Sequence, residues 1–109
     1  MKKNIIVNLQ FEAIHNWPRV AKESEVNFLQ YPHRHTFYIE AKKEVTHNDR
    51  QIEIITFKRQ ILHYLFNRFQ DGNLGDMSCE QLAEELLQVF GLSYCKVLED
   101  NENGAEVIK

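Results

Sequence analysis

Apolar and polar residues alternate along the first part of the chain, and this period of two predicts a half-buried β-strand. One face of that strand is apolar and the other mostly polar. The apolar positions are Ile5, Val7, Leu9, Phe11 and Ala13, and the polar ones are Asn4, Asn8, Gln10 and Glu12. One more step along the apolar face reaches His15, and Asn16-Trp17-Pro18 then ends the strand.

A second alternating segment begins near His33, after residues 19–31, whose mixed polar composition predicts a loop. Phe37, Ile39 and Ala41 share one face of this strand, and the same face reaches backward to His35 and His33. The two strands therefore carry histidines where their apolar faces end.

The middle of the chain changes from period two to helical spacing. Thr46-His47-Asn48-Asp49 predicts a turn, and Ile52, Ile54 and Thr56 then predict a short third strand. Thr56 is a candidate helix cap. The following helix has an apolar stripe at Phe57, Ile61, Leu62, Leu65 and Phe69. A loop over residues 71–75 ends this unit.

Ser78 and Gln81 have the spacing of a capping box, which predicts the start of a second helix. Its apolar stripe is Leu82, Leu86, Leu87 and Phe90, and Gly91 ends it. A strand over 94–99, a hairpin turn at Asn103-Gly104 and an edge strand over 105–108 follow. The order predicts one α+β domain over residues 1–109, with two helices on one face of an antiparallel sheet (ββ-αα-ββ).

Composition narrows the classes of function. The 109 residues are 43% hydrophobic and 27% charged, with a net charge of −3 and no basic block, so nucleic-acid and anionic-membrane binding are disfavoured. No signal-peptide core or membrane span is present in the pattern. Cys79 and Cys95 do not form a C-x-x-C pair, which favours two reduced thiols in a cytoplasmic protein.

The three histidines at the strand ends form a candidate metal site. If the first two strands pair as antiparallel neighbours, His15 lies beside His33, and His35 points to the same side because it is two residues further along. Three imidazoles at one point suit a tetrahedral metal with an open position, and zinc fits best. The alternative is that each histidine is only a polar cap to the core. His47 and His63 are expected to be solvated or structural.

Glu99 shares its face with the apolar Cys95 and Val97. Its carboxylate is either a surface group beyond the core or a buried anchor that needs donors. The two adjacent N–H groups on the edge of a pterin or purine would satisfy it.

Four motifs in this order resemble the 6-pyruvoyl-tetrahydropterin synthase and 6-carboxytetrahydropterin synthase family, over nearly the whole chain. They are Phe11-Glu12-Ala13-Ile14-His15, His33-Arg34-His35, Ser78-Cys79-Glu80 and Val97-Leu98-Glu99. The resemblance implies a tunnelling fold that assembles into a barrel of several subunits. It further implies zinc on His15, His33 and His35, a pterin ring anchored by Glu99, and a pocket lined by Ser78 and Cys79.

The chain departs from the family pattern at the groups that transfer protons. Leu29 stands where the family has a catalytic cysteine, and Thr56 replaces the aspartate of its Asp-Phe pair. No D-H-x-x-L-N stretch lies between residues 66 and 77, and Arg34 replaces the glycine between the metal histidines. Three residues are candidates for a substituted relay: Glu80, Cys79 and Glu23.

These features favour a zinc protein that binds a pterin- or purine-like molecule in a homo-oligomer, without the family's standard catalysis. The alternative is an active lyase or synthase of a pterin or deazapurine pathway with a substituted relay. A further alternative is a structural oligomer in which zinc only stabilises the fold. The sequence leaves open whether a substrate is turned over.

Overall fold

A computed structural model describes all residues from 1 to 109. Five strands form one sheet, and two α-helices and a short 3₁₀ helix (Asn27–Gln30) complete the fold. The strands are β1 (Lys3–His15), β2 (His33–Val45), β3 (Asn73–Gly75), β4 (Tyr94–Glu99) and β5 (Asn103–Ile108). The helices are α1 (Ile54–Arg68) and α2 (Cys79–Phe90). The sheet order is β3-β1-β2-β4-β5, and the predicted α+β class is confirmed.

The long pair of β1 and β2 sets the geometry of the whole molecule. The strands are antiparallel along their full length, and the register places His15 opposite His33 and Ala13 opposite His35. On the other side of β2, β4 pairs antiparallel so that Glu99 lies opposite Phe37. The ends of three strands that carry the candidate residues therefore meet at one end of the sheet.

Both helices pack on the face that the alternating pattern marks as apolar. Their stripes interlock with the inward residues of β1, β2 and β4 in a core of 19 buried residues. The largest side chains with almost no exposed surface are Phe37, Ile39, Ile61, Leu65, Leu82, Leu86, Leu92, Val97 and Cys95. The capping box of Ser78 and Gln81 is formed, and Gly91 ends α2 in the left-handed conformation at φ 62°.

The predicted third strand over Ile52–Thr56 is wrong, because this segment begins α1. The carboxylate of Glu53, not the hydroxyl of Thr56, caps the helix and accepts the backbone N–H groups of Ile55 and Thr56. Three alternating positions are a weak strand signal, and Ile54 stays about half exposed instead of packing in the sheet.

The sheet is mixed rather than purely antiparallel, because β3 pairs parallel to the end of β1. The sequence pattern predicted only a loop there. Backbone bonds from Ile14 N–H to Gly72 O (2.8 Å) and from Asn16 N–H to Gly75 O (2.9 Å) fix this segment beside His15. Three residues are too few to give a period, so the strand leaves no trace in the hydrophobic pattern.

The hairpin between β4 and β5 forms, but its turn lies earlier than the predicted Asn103-Gly104. Asp100 and Asn101 make the turn with φ values of 55° and 61°. Asp and Asn tolerate this left-handed conformation better than other non-glycine residues do. The shift matters because Asp100 then belongs to the turn itself, directly after β4 ends at Glu99.

Neither helix is both long and apolar enough to cross a membrane. The cytoplasmic location stays a prediction.

Candidate metal centre

Four side chains converge where the inner face of the sheet ends. His15 comes from the end of β1, His33 and His35 come from the start of β2, and Glu99 comes from the end of β4. Each contributes one potential ligand atom, and these atoms all lie within 4.8 Å of one another. The three predicted metal ligands are brought together, and Glu99 joins them.

Each imidazole is oriented by a hydrogen bond at its Nδ1 atom. Nδ1 of His15 lies 3.0 Å from the carbonyl of Met77, and Nδ1 of His33 lies 2.8 Å from the carbonyl of Tyr31. Nδ1 of His35 lies 2.7 Å from Oδ2 of Asp100. All three partners accept hydrogen bonds, so each Nδ1 is placed to donate and the other ring nitrogen, Nε2, is left to face the cluster. Metal-binding histidines are typically held by this kind of second bond.

Two of the Nε2 atoms lie against a carboxylate oxygen. Oε2 of Glu99 lies 2.8 Å from Nε2 of His15 and 3.1 Å from Nε2 of His35. Nε2 of His15 is buried and has no hydrogen-bond partner. A ring nitrogen and a carboxylate oxygen at these distances are brought together either by a proton between them or by a shared metal ion. The cluster could therefore hold a metal ion, and its donor set of imidazole nitrogens and one carboxylate fits a divalent transition metal.

Asp100 is a functional candidate that the sequence reading missed. Its carboxylate bonds His35 through Oδ2 and accepts the backbone N–H of Thr36 at 3.1 Å through Oδ1. The bond from His35, followed by that from Thr36, holds the pKa of this carboxyl below its usual range. The available signal was the pairing of β2 with β4, which sets the residue after Glu99 beside Thr36, the neighbour of His35.

A cavity of about 610 Å³ opens beside the cluster. His15, His33 and Glu99 form part of its wall. Ser78 and Cys79, at the start of α2, form another part. A volume of this size is in the ordinary range for sites of small organic ligands. The ligand-binding roles of Ser78, Cys79 and Glu99 stay predictions.

Comparison with known proteins leaves the family open. The chain matches no protein-family model and no curated protein. The resemblance to the pterin synthases accordingly remains a prediction, carried by the four short motifs and by the place of their residues in the site.

Cys79 is buried and lines the cavity, but its thiol is not activated. Burial, followed by the negative charges of Glu99 and Glu80, raises its pKa to about 12. A thiol with such a pKa is protonated and weakly nucleophilic near neutral pH. Cys95 is also buried and unpaired, so the prediction of two unbridged thiols is confirmed.

The remaining relay candidates, Glu80 and Glu23, and the two positions that depart from the family pattern, Leu29 and Thr56, differ in whether they line the cavity. Leu29, at the site of the family's cysteine, lines the cavity, and so does Glu80. Glu23 is exposed and does not line it, and Thr56 lies in the first turn of α1, also outside the cavity. Of the three relay candidates, Glu80 and the unactivated Cys79 therefore line the cavity, and Glu23 does not.

His47 and His63 lie outside the cluster, as the sequence indicated. Both are exposed. His47 accepts the backbone N–H of Asp49, and His63 bonds Asn67 on the same helix.

Proposed function

We propose that this chain is a zinc-binding protein of the tunnelling-fold type that binds a flat pterin- or purine-like molecule in the cavity beside its metal. The observation that carries the proposal is the set of three imidazoles whose Nδ1 atoms all lie against acceptors, while one possible ligand atom from each ring and from Glu99 lies within 4.8 Å of the others.

Zinc is the metal that suits this donor set best among those available to cells, because it accepts imidazole nitrogen readily and prefers four ligands. His15, His33 and His35 would hold it. When bound, zinc would polarise a carbonyl or hydroxyl group of a ligand lying in the cavity. The acceptors on the Nδ1 atoms keep the rings in the tautomer that the metal needs.

Glu99 is the proposed anchor for the ring. Only Oε2 of its carboxylate contacts the imidazoles, Oε1 makes no hydrogen bond, and the residue lines the cavity. The N–H groups on the edge of a pterin or guanine are suitable donors to such a carboxylate. Ser78 and Cys79 also line the cavity, and the buried thiol would supply an apolar contact rather than a nucleophile.

Binding is better supported than the family's standard catalysis. Leu29 lines the cavity where a cysteine would be needed, and the pKa of the Cys79 thiol, at about 12, makes it a poor substitute. A catalytic group that transfers a proton contributes roughly 10²–10⁴ in rate, so a site without one is a slow catalyst.

A second candidate is an active pterin- or deazapurine-pathway lyase or synthase, and it is favoured by Glu80, a carboxylate in the cavity wall that could move a proton. Incubation of the zinc-loaded protein with dihydroneopterin triphosphate separates the two functions. Product formed in proportion to enzyme would favour this second candidate, and binding without product would favour the first.

The experiment that tests the proposal is Glu99→Gln, which keeps the size of the side chain and removes its charge. Zinc content is measured by atomic absorption, and pterin binding to the zinc-loaded protein by calorimetry. We expect one zinc per chain in both proteins and at least about tenfold weaker pterin binding in the variant, because a charge-assisted hydrogen bond is lost.

Glu102→Gln is the matched control, since Glu102 lies in the neighbouring turn and is exposed. It should change neither zinc nor pterin binding. Loss of zinc in Glu99→Gln would show instead that Glu99 is a fourth metal ligand in a closed, structural site. A wild-type protein that holds zinc but gives no heat with pterin would contradict the ring-binding function.

The proposed homo-oligomer is supported by the open edges of the sheet. β3 pairs only with the last residues of β1, so the outer edge of β1 is unpaired over most of its length, and β5 is unpaired on its outer side. Ile6 and Ile108, on these two strands, are about half and two-thirds exposed. Exposed strand edges of this length favour pairing with another chain. Sedimentation velocity should give a closed oligomer, and a monomer at all concentrations would contradict it.

A further inference from the structure

The single tryptophan of the chain lies two residues beyond a metal-cluster histidine and lines the cavity. Only Asn16 separates Trp17 from His15, and Trp17 lines the same cavity as His15, His33 and Glu99. The residue is 46% exposed, although it is the largest apolar side chain in the sequence. Burial of this ring in the core would stabilise the fold. A half-exposed indole in a cavity therefore favours a role in ligand contact.

The backbone around Trp17 is fixed on both sides. Its N–H donates to the carbonyl of Leu29 at 2.7 Å, and the N–H of Asn16 donates to Gly75 at 2.9 Å. The Asn16 side chain donates to the carbonyl of Gln30 at 3.0 Å, and Val20, three residues on, is buried. The indole is therefore exposed on a rigid support, between the 3₁₀ helix and β3. Rigid aromatic contacts lose little conformational entropy when a ligand binds.

Other exposed aromatic residues in this region do not share that position. Phe28 and Tyr31 are 60% and 65% exposed, but neither lines the cavity. The ion pair of Arg19 with Asp76, at 2.9 Å, lies at the rim and is largely exposed, so it contributes little binding energy. Among the aromatic side chains near the cluster, the indole of Trp17 is the one placed to contact a ligand in the cavity.

We propose that Trp17 is a specificity-determining residue, whose indole stacks on the flat ring of the ligand while Glu99 binds the edge of the ring. The inference rests on the proposed function. It adds that the site prefers planar aromatic heterocycles to non-planar molecules that carry the same polar groups. Stacking on an aromatic side chain tolerates different rings, because every planar heterocycle presents a π-face. The polar edge would then distinguish one ring from another.

The test uses the zinc-loaded full chain with pterin as the probe. Because Trp17 is the only tryptophan, intrinsic fluorescence reports on this position alone. Pterin should quench the emission with the affinity measured by calorimetry, and it should protect the indole from quenching by acrylamide. Trp17→Leu should weaken pterin binding by about tenfold or more, and Trp17→Phe should recover most of it. Both variants should keep one zinc per chain.

Phe28→Leu is the matched control, because it removes an exposed aromatic ring from the same segment without touching the cavity. It should leave pterin binding unchanged. Pterin binding at full affinity in Trp17→Leu would overturn the stacking role and leave the proposed function intact, and so would binding to the wild-type chain without protection from acrylamide. No binding to the wild-type chain would overturn both. Acrylamide protection that follows protein concentration rather than pterin would assign Trp17 to a subunit interface instead.

Discussion

The two ends of the same sheet face differ in chemistry although their backbone geometry is the same. Toward the start of β1, the inward residues Val7 and Leu9 pack with Ala41 and Ile39 of β2 under the helices. At the other end of both strands, the same register brings imidazoles together. Phe37 marks the boundary: it is buried, and its ring lies 5.3 Å from that of His15 and 5.9 Å from that of His35.

The comparison shows how one pleated scaffold serves two purposes. At the aliphatic end, exclusion of water from apolar surface stabilises the fold. At the histidine end, the side chains stay partly exposed and are ordered by hydrogen bonds from their Nδ1 atoms to fixed acceptors. If this division is correct, changes at one end should affect metal binding and changes at the other should affect stability, with little overlap.

The largest effect on the histidine end is expected from removal of one ligand. His33→Ala leaves two imidazoles, which are too few for a stable zinc site, so the metal content should fall from one per chain to almost none. Atomic absorption after dialysis measures it. His63→Ala, which removes an exposed histidine of α1, should keep the full content. A His33→Ala protein with one zinc per chain would refute the ligand assignment.

The largest effect on the aliphatic end is expected from a cavity under α2. Leu86 is fully buried, and Leu86→Ala should lower the free energy of unfolding by about 2–5 kcal/mol. Chemical denaturation measures the loss. Val89→Ala, at a half-exposed position of the same helix, should change it by less than about 0.5 kcal/mol. The division into two ends would fail if the folded Leu86→Ala protein lost its zinc.

A smaller effect is expected from the second bond of His35. Asp100→Ala removes the acceptor that orients this ring, and loss of such a partner typically weakens metal binding by about 10–100-fold. Competition with a chromophoric chelator measures the affinity. Glu102→Ala, two residues along the same turn, is the control. Unchanged zinc affinity in Asp100→Ala would mean that the ring is held in place by the sheet alone.

The smallest effect, and one that should leave zinc untouched, concerns the cap of α1. Hydrogen bonds from Thr56 and Ile55 hold the pKa of Glu53 below its ordinary value of 4.5. The ionised carboxylate therefore stabilises the folded chain above the unfolded pKa, and this contribution is lost as the pH falls through the lowered one.

Glu53→Gln should accordingly melt below the wild-type protein near neutral pH, with a difference that shrinks as the solution is acidified. Thermal unfolding followed by circular dichroism over a pH series measures it. A difference that grows toward acid would contradict the sign of the pKa shift.

Strands β1 and β2 were predictable because apolar and polar residues alternate over a long stretch of each, which separates an apolar face from a polar one. Period two over β1 and β2, extended by single steps, places His15, His33 and His35 on one face, and antiparallel pairing brings them together. Helix α2 was predictable from its capping box and terminal glycine. In these elements local preference and tertiary packing agree, which makes sequence patterns informative.

The remaining features depend on groups that a hydrophobic pattern does not contain. Two of the acceptors that orient the histidines are backbone carbonyls, of Tyr31 and Met77. Strand β3 is defined by backbone pairing alone, and the role of Asp100 depends on a turn that begins earlier than Asn103-Gly104 suggested. The beginning of α1 was misread because a short alternating stretch looked like a strand. The helix in fact begins there, since the Glu53 side chain caps it.

The most direct measurement is a crystal structure of the purified protein with anomalous diffraction recorded on both sides of the zinc edge. We expect one strong anomalous peak per chain within bonding distance of Nε2 of His15, His33 and His35, roughly 2.0–2.1 Å for a zinc–imidazole bond. A zinc-supplemented crystal with no peak there, or with these three rings turned away from one another, would contradict the metal centre and every proposal built on it.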